Sequence, residues 1–342
     1  MPVTTPPAAV RSSHPLATPG VRRRYWALLT ALLALSALFA FGLLAWDNPM
    51  PVGTDGFWII ARMRATSVVV ILVVAFCQAI ATVSFQTATN NRIITPSIMG
   101  FESLYRAVQT SSVYFLGVAG ITAIQGVSQF LLQVALMVGF ALLLYGWLLS
   151  GRYGNLQVML LVGIILGAGL GSVSTFMQRL LTPSEFDVLA ARLFGSISHA
   201  DPAYLPYAIP LAAIAGGALW ANAKNLNLLS LGRDAATSLG LNQRRQTMVT
   251  LFFVSILMAV STALVGPMTF LGFLVATLAY QLADTYDHRY IFPMSVATAF
   301  IVLTGSYFVM KHVFYAQGVV SVIIELVGGG VFLLVLLRKG RL

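Results

Sequence analysis

About ten stretches of this chain are each roughly 20 residues long and almost free of charge, and that pattern admits one broad solution. They lie near 25–46, 65–86, 99–118, 127–149, 156–179, 204–221, 246–265, 269–284, 291–310 and 319–337. Lipid offers no partner to an exposed backbone N–H or C=O, so each stretch is expected to cross the bilayer as a helix. The fold expected is an all-α integral membrane protein of about ten transmembrane helices. Composition agrees: 58% of residues are hydrophobic, 9% are charged and the mean hydropathy is +0.86, against about 25% charged residues in an ordinary soluble domain.

The net charge of +10 would suit a nucleic-acid partner if the basic residues gathered on one face. They are sorted by membrane side instead. With the amino terminus in the cytoplasm, an even number of spans returns the carboxyl terminus there. Of the 20 Lys and Arg, 14 then fall in cytoplasmic segments and five outside, with Arg106 inside a span. That bias sets the orientation by the positive-inside rule. Residues 1–24, rich in Pro, Ser, Thr and Ala and ending in Arg22-Arg23-Arg24, are expected to form a disordered basic cytoplasmic tail. Residues 25–342 are read as one transmembrane domain in contact with membrane lipid. Cys77, the only cysteine, lies in an apolar run and supports neither a disulfide framework nor a thiolate metal site.

One segment does not belong in lipid. Residues 222–245 form the longest cytoplasmic connection between spans, and in its segment 224–242 Leu228, Leu231, Ala235 and Leu239 fall on one face at helical spacing. Gly232, Arg233 and Asp234 lie within it, and Gly240 is placed to stop the helix. A membrane-surface helix usually carries several cations on its polar face; here Arg233 is offset by Asp234. The segment is therefore expected to be an amphipathic helix that fills a groove on a soluble protein. The chain has no GxxxxGK[ST] loop, so it binds no nucleotide in that manner and is not expected to be an enzyme. If ATP drives its work, a separate ATPase subunit uses the ATP.

Leu226 to Asn242 resembles the coupling segment of permease subunits of ABC importers for iron-siderophore complexes, haem and cobalamin, the FecCD type. Three further stretches carry the same likeness: "FQTATNNRIITPSIMGFESLY", "TPSEFDVLAARLFGSIS" and "GPMTFLGFLVATLA". The form "NNRIITPSIMGFE" is similar to the subgroup that handles ferric siderophores, often catecholates. Arg233 stands where the family often has an acid. The resemblance implies ten transmembrane helices in a bacterial cytoplasmic membrane and a second permease subunit, preferably a different chain. It also implies two cytosolic ABC ATPases, an external substrate-binding protein and a ferric siderophore as cargo. Haem or cobalamin are alternative cargoes, and an ion-coupled secondary transporter is the alternative class.

Several residues hold two readings each. Arg62, Arg64 and Lys311, beside external loops, either meet acids on a binding protein or anchor the helix ends at the interface. Glu102 and Arg106 have the spacing and order of an intrahelical ion pair. Gly163, Gly167 and Gly171 in the fifth span, and Gly328 in a run that interrupts the tenth, either let helices pack closely or line a passage. Glu325 lies beside that run with no partner evident in sequence. Residues 184–194 are expected to form a short helix at the external mouth, with Glu185 and Phe186 as gate residues in the family picture. The four histidines have no metal-ligand spacing, and no metal site or bound cofactor is expected in this chain.

Overall fold

The computed structural model describes residues 15–16, 18–46, 48–123, 126–150, 156–197, 200–314 and 320–339. Their secondary structure is helical, with no strand among the described residues. The helices are α1 (Pro19–Ala45), α2 (Asp55–Ala88), α3 (Phe101–Ala123), α4 (Val127–Ser150), α5 (Leu156–Arg179), α6 (Pro183–Leu193), α7 (Leu205–Ala221), α8 (Ala223–Leu229), α9 (Arg233–Ser238), α10 (Gln243–Val265), α11 (Leu271–Ala283), α12 (His288–His312) and α13 (Val320–Lys339).

Seven of these are long and apolar enough to cross a membrane: α1, α2, α4, α5, α10, α12, and α7 together with the 3₁₀ turn Pro202–Tyr204 before it. The other three expected spans coincide with α3, α11 and α13. At 13 residues, α11 extends only about 20 Å, less than the ~30 Å hydrocarbon core. The third span, expected from residue 99, is preceded by a 3₁₀ turn at Pro96–Met99, and α3 starts after Gly100.

At the centre, α2 packs along α10, with α12, α7 and α11 around them. From Val70 onward α2 is buried almost all round, as expected of a helix apolar on every face. Some polar groups in this core find partners across the bundle or on their own helix, while the buried hydroxyls of Thr82, Ser84 and Thr262 find none among the described residues. Gln78 donates to Ser261 Oγ at 3.1 Å, and Thr298 turns back to the Met294 carbonyl at 2.7 Å. The periphery is looser. Only 17% of the apolar window of α1 and 28% of that of α5 are buried.

The amino-terminal reading needs correction. Residues 1–14 lie outside the described residues, but 19–24 are the first turns of α1, not tail. Thr18 caps that helix by accepting from Val21 N–H at 3.2 Å, and Pro19 suits its first position. Tyr25 then anchors it by donating to the Tyr290 carbonyl at 2.9 Å.

Candidate functional site

Two clusters of singled-out residues lie at opposite ends of α10, whose 23 residues separate them by about 35 Å. The first surrounds α8 and α9. These are two short helices, which corrects the single amphipathic helix expected there. Gly232 adopts φ 93 between them, a conformation that breaks any helix of L-residues. The apolar residues divide accordingly. Leu226 and Leu229 are buried in the main core, Leu228 is half-buried, and Leu231 and Leu239 stand 59% exposed. Arg233, Asp234 and Ala235 are exposed beside them. Gly240 does end the segment: at φ 82, it donates to the Thr237 carbonyl at 2.9 Å while Leu241 donates to that of Ala236 at 3.0 Å. That pair is a Schellman cap.

A polar network ties this segment to the bundle. Asn227 of α8 donates to Asp287 Oδ1 at 3.0 Å, and its own Oδ1 accepts from the His288 backbone N–H at 3.0 Å. His288 Nδ1 lies 2.6 Å from the same oxygen, and Nε2 lies 2.7 Å from Thr87 Oγ1 at the end of α2. Because Asn227 Oδ1 only accepts, the imidazole proton belongs on Nδ1. The "NNR" turn after α2 closes the cluster. Asn90 takes a left-handed conformation, φ 49, and the Arg92 guanidinium sits 4.7 Å from the centre of the Tyr280 ring. Asn227, Asp287 and His288 were missed by sequence reasoning. The only local signal is an Asp before an apolar run, which is an N-cap pattern, and Asp287 caps α12 through Arg289 N–H at 3.0 Å.

The second cluster centres on Gly266–Phe270, the start of the "GPMTF" stretch. Glu102 accepts from Thr269 Oγ1 at 2.6 Å. This replaces the intrahelical pair expected with Arg106, which acts on Glu102 only through its charge and is itself exposed. Glu325, half-buried on α13, comes within electrostatic reach of Glu102. Gly328 is buried, and a Cβ on it would stand 2.9 Å from Phe270 Cβ. The run at 328–330 does not interrupt α13, which is continuous through it.

The glycines of α5 split. Gly163 and Gly167 are buried against Met99 and Gly100, where a Cβ on Gly167 would lie 3.0 Å from Gly100 Cα. Their small size lets Met99 and Gly100 approach α5 closely. Gly171 has open space, with nothing within 4 Å, where a Cβ would stand, and it borders an open cavity.

The short helix expected at 184–194 is α6. Leu189, fully buried, packs it on Val113 of α3. Glu185 Oε2 accepts from Thr182 N–H at 3.0 Å and from Thr182 Oγ1 at 2.8 Å. These bonds, the backbone one first, hold the Glu185 carboxyl below its ordinary value. Glu185 is thus the N-terminal lock of α6, and Phe186 stands exposed one residue on. After α6 the chain passes tightly under α10: Ser196 N–H donates to the Val265 carbonyl at 2.8 Å. Beneath α6 lies a cavity of about 500 Å³ that holds Arg192, Asp201, Gln109 and Gln133.

Arg62 and Arg64 lie within the third turn of α2, inside the helix and not beyond it. Arg62 is exposed and borders a cleft with Asp55 and Trp58. Arg64 donates to the Trp46 carbonyl at 2.7 Å, an anchoring contact. Lys311 is half-buried in the last turn of α12.

The profile of the FecCD transport family matches residues 27–338. The chain belongs to the FecCD transport family. Petrobactin import system permease protein FatC of Bacillus anthracis is 57% identical over 320 residues, 94% of this chain and 90% of that protein. Petrobactin import system permease protein YclO of Bacillus subtilis (strain 168) is 36% identical over 311 residues, 91% of this chain and 95% of that protein. A solved ABC transporter of the metal-chelate type, in an inward-facing conformation, superposes with a TM-score of 0.78 at 19% identity, covering 92% of this chain and 99% of its own. That likeness shows the fold of an ABC importer permease.

Proposed function

We propose that this chain is the transmembrane permease subunit of an ATP-driven importer that carries a ferric siderophore across the bacterial cytoplasmic membrane by alternating access. The 57% identity to FatC across nearly the whole chain carries the reading, and it favours a siderophore over haem, cobalamin or an ion-coupled carrier. ATP is hydrolysed by a separate ATPase subunit, and this chain acts by coupling and by forming the path. Its partners are a second permease chain, preferably a different one, two cytosolic ATPases and an external binding protein.

In this reading the face with α8 and α9 is cytosolic, as the distribution of basic residues supports. Leu231 and Leu239 enter the ATPase groove. Asn227, held by Asp287 and His288, passes their displacement to the ends of α2 and α12. Such coupling needs an element with two positions and different contacts in each, and this reading places it at the Gly232 break between the two short helices. On the opposite face Arg62 meets the binding protein, with Arg64 and Lys311 nearby, and α6 is the gate.

The test is the reconstituted complex carrying Leu231→Asp or Leu239→Asp. Each is expected to remove the co-purifying ATPase and to reduce ATP-dependent ⁵⁵Fe-siderophore uptake by at least about tenfold, the scale of losing one apolar anchor at an interface, with the permease still folded. Unchanged co-purification and uptake would sink the coupling assignment.

A further inference from the structure

On the open side of α5 lies a cavity of about 570 Å³, bounded by Arg106 of α3, Leu193 of α6, and Gly171, Ser172, Thr175 and Arg179 of α5. Its lining contains two guanidinium groups and no carboxylate. Among the described residues neither arginine has a hydrogen-bond partner. Arg106 feels Glu102 one turn away, but that carboxylate is buried and bound to Thr269. The neighbouring cavity under α6 differs, because there Arg192 shares its space with Asp201.

Cations inside a membrane protein are costly and mark either a pair or a polar pathway. Arg179, in the last turn of α5, suits the negative end of that helix dipole. Arg106 has no such account, since it lies in the second turn of α3. The hydroxyls of the wall make it wettable without supplying charge: Ser172 donates to the Ala168 carbonyl and Thr175 to that of Gly171, each at 2.9 Å. Recognition of charge therefore falls to the two guanidinium forks, which match paired anionic oxygens. The volume lies within the range of small-molecule sites.

We infer that this cavity is a subsite on the translocation path that takes the negative charge of the cargo, so that the permease itself selects anionic ferric chelates over neutral ones. The inference rests on the importer reading above. Catecholate and hydroxycarboxylate oxygens outnumber the ferric charge and leave the complex an anion, whereas a ferric trihydroxamate is neutral.

The test uses the full permease in detergent for binding and the reconstituted complex for uptake, comparing wild type, the double variant R106Q/R179Q and the charge-retaining R106K/R179K. The probes are iron(III) tris-catecholate and a neutral ferric trihydroxamate. Wild type is expected to bind the tris-catecholate in a salt-sensitive manner. R106Q/R179Q should bind it at least about tenfold more weakly, R106K/R179K should keep much of that binding, and trihydroxamate binding should be the same in all three. Equal loss of both chelates, or no loss of either, overturns the inference. So does complete displacement of the tris-catecholate by phosphatidylglycerol, which would make the cavity a lipid headgroup site. Uptake separates the two readings. Arginine-dependent binding without wild-type uptake removes the importer and keeps the anion site; wild-type uptake equalled by R106Q/R179Q does the reverse.

Discussion

Gly195 stands where three elements converge: a Cβ there would fall on the Pro267 carbonyl oxygen and press on Ser321 of α13 and Met268. The carbonyl is backbone and cannot rotate away. Gly195→Ala is expected to destabilise the protein by about 1–3 kcal/mol, the usual cost of overpacking, read as a lower melting temperature in detergent. Gly217→Ala is the control, because nothing lies within 4 Å of its Cβ position, and it should be neutral or stabilising. Equal melting of both variants would show that the contact is not restrictive. Thr269→Val tests the neighbouring bond: it takes one donor from the buried Glu102 carboxyl, which Ser97 also reaches, at a cost of about 1–3 kcal/mol, and Thr269→Ser should restore the loss. The spacing of Glu102 and Arg106 suggests a local pair, yet the partner lies 167 residues away. Nothing in the local sequence distinguishes the two outcomes, since the deciding group arrives from the connection between α10 and α11.

At the scale of elements, α6 carries a pH dependence. Because the folded Glu185 carboxyl titrates below its ordinary value of 4.5, its stabilising effect on α6 is complete above that value. It is lost as pH falls through the lower, folded one. Amide exchange in residues 183–193 should therefore accelerate, relative to α10, as the pH is taken from neutral to below 4.5. Glu185→Gln should flatten that dependence, and a wild-type profile already flat would remove the lock. The outline of α6 is legible in the sequence, from Thr182, Pro183 and Glu185 standing at helix-start positions. The segment 224–242 is half legible. Its Gly240 stop follows from local chemistry, but Gly232 reads as a passenger in a helical pattern because Leu228, Leu231, Ala235 and Leu239 keep their period across it. The burial of Leu226 and Leu229 shows what decides the break: α8 is held to the bundle while α9 is free to face outward. The glycine periodicity of α5 is equally ambiguous, since packing and passage both require small side chains, and only the fold shows Gly100 approaching Gly163 and Gly167 closely.

For the whole molecule, ten apolar runs are readable because lipid demands length and polarity from each segment independently of its neighbours. Which helix stands at the centre is not, since α1 and α2 are almost equally apolar and only their packing differs. Orientation is open to a direct measurement, aided by the single cysteine, Cys77, which is fully buried and gives little background labelling. A cysteine placed at Val52, exposed ahead of α2, should react with an impermeant maleimide on intact cells. One at Ser238, exposed at the end of α9, should react only after permeabilisation, and the opposite pattern would invert the topology. The central pairing of α2 with α10 also places a demand on biosynthesis. Gln78 and its partner Ser261 are 183 residues apart, and at ~5–20 residues per second the ribosome delivers the second roughly 10–40 s after the first. During that interval the most deeply buried helix of the finished protein stands in the bilayer with a bare amide, so the insertion machinery must shelter α2 until α10 arrives.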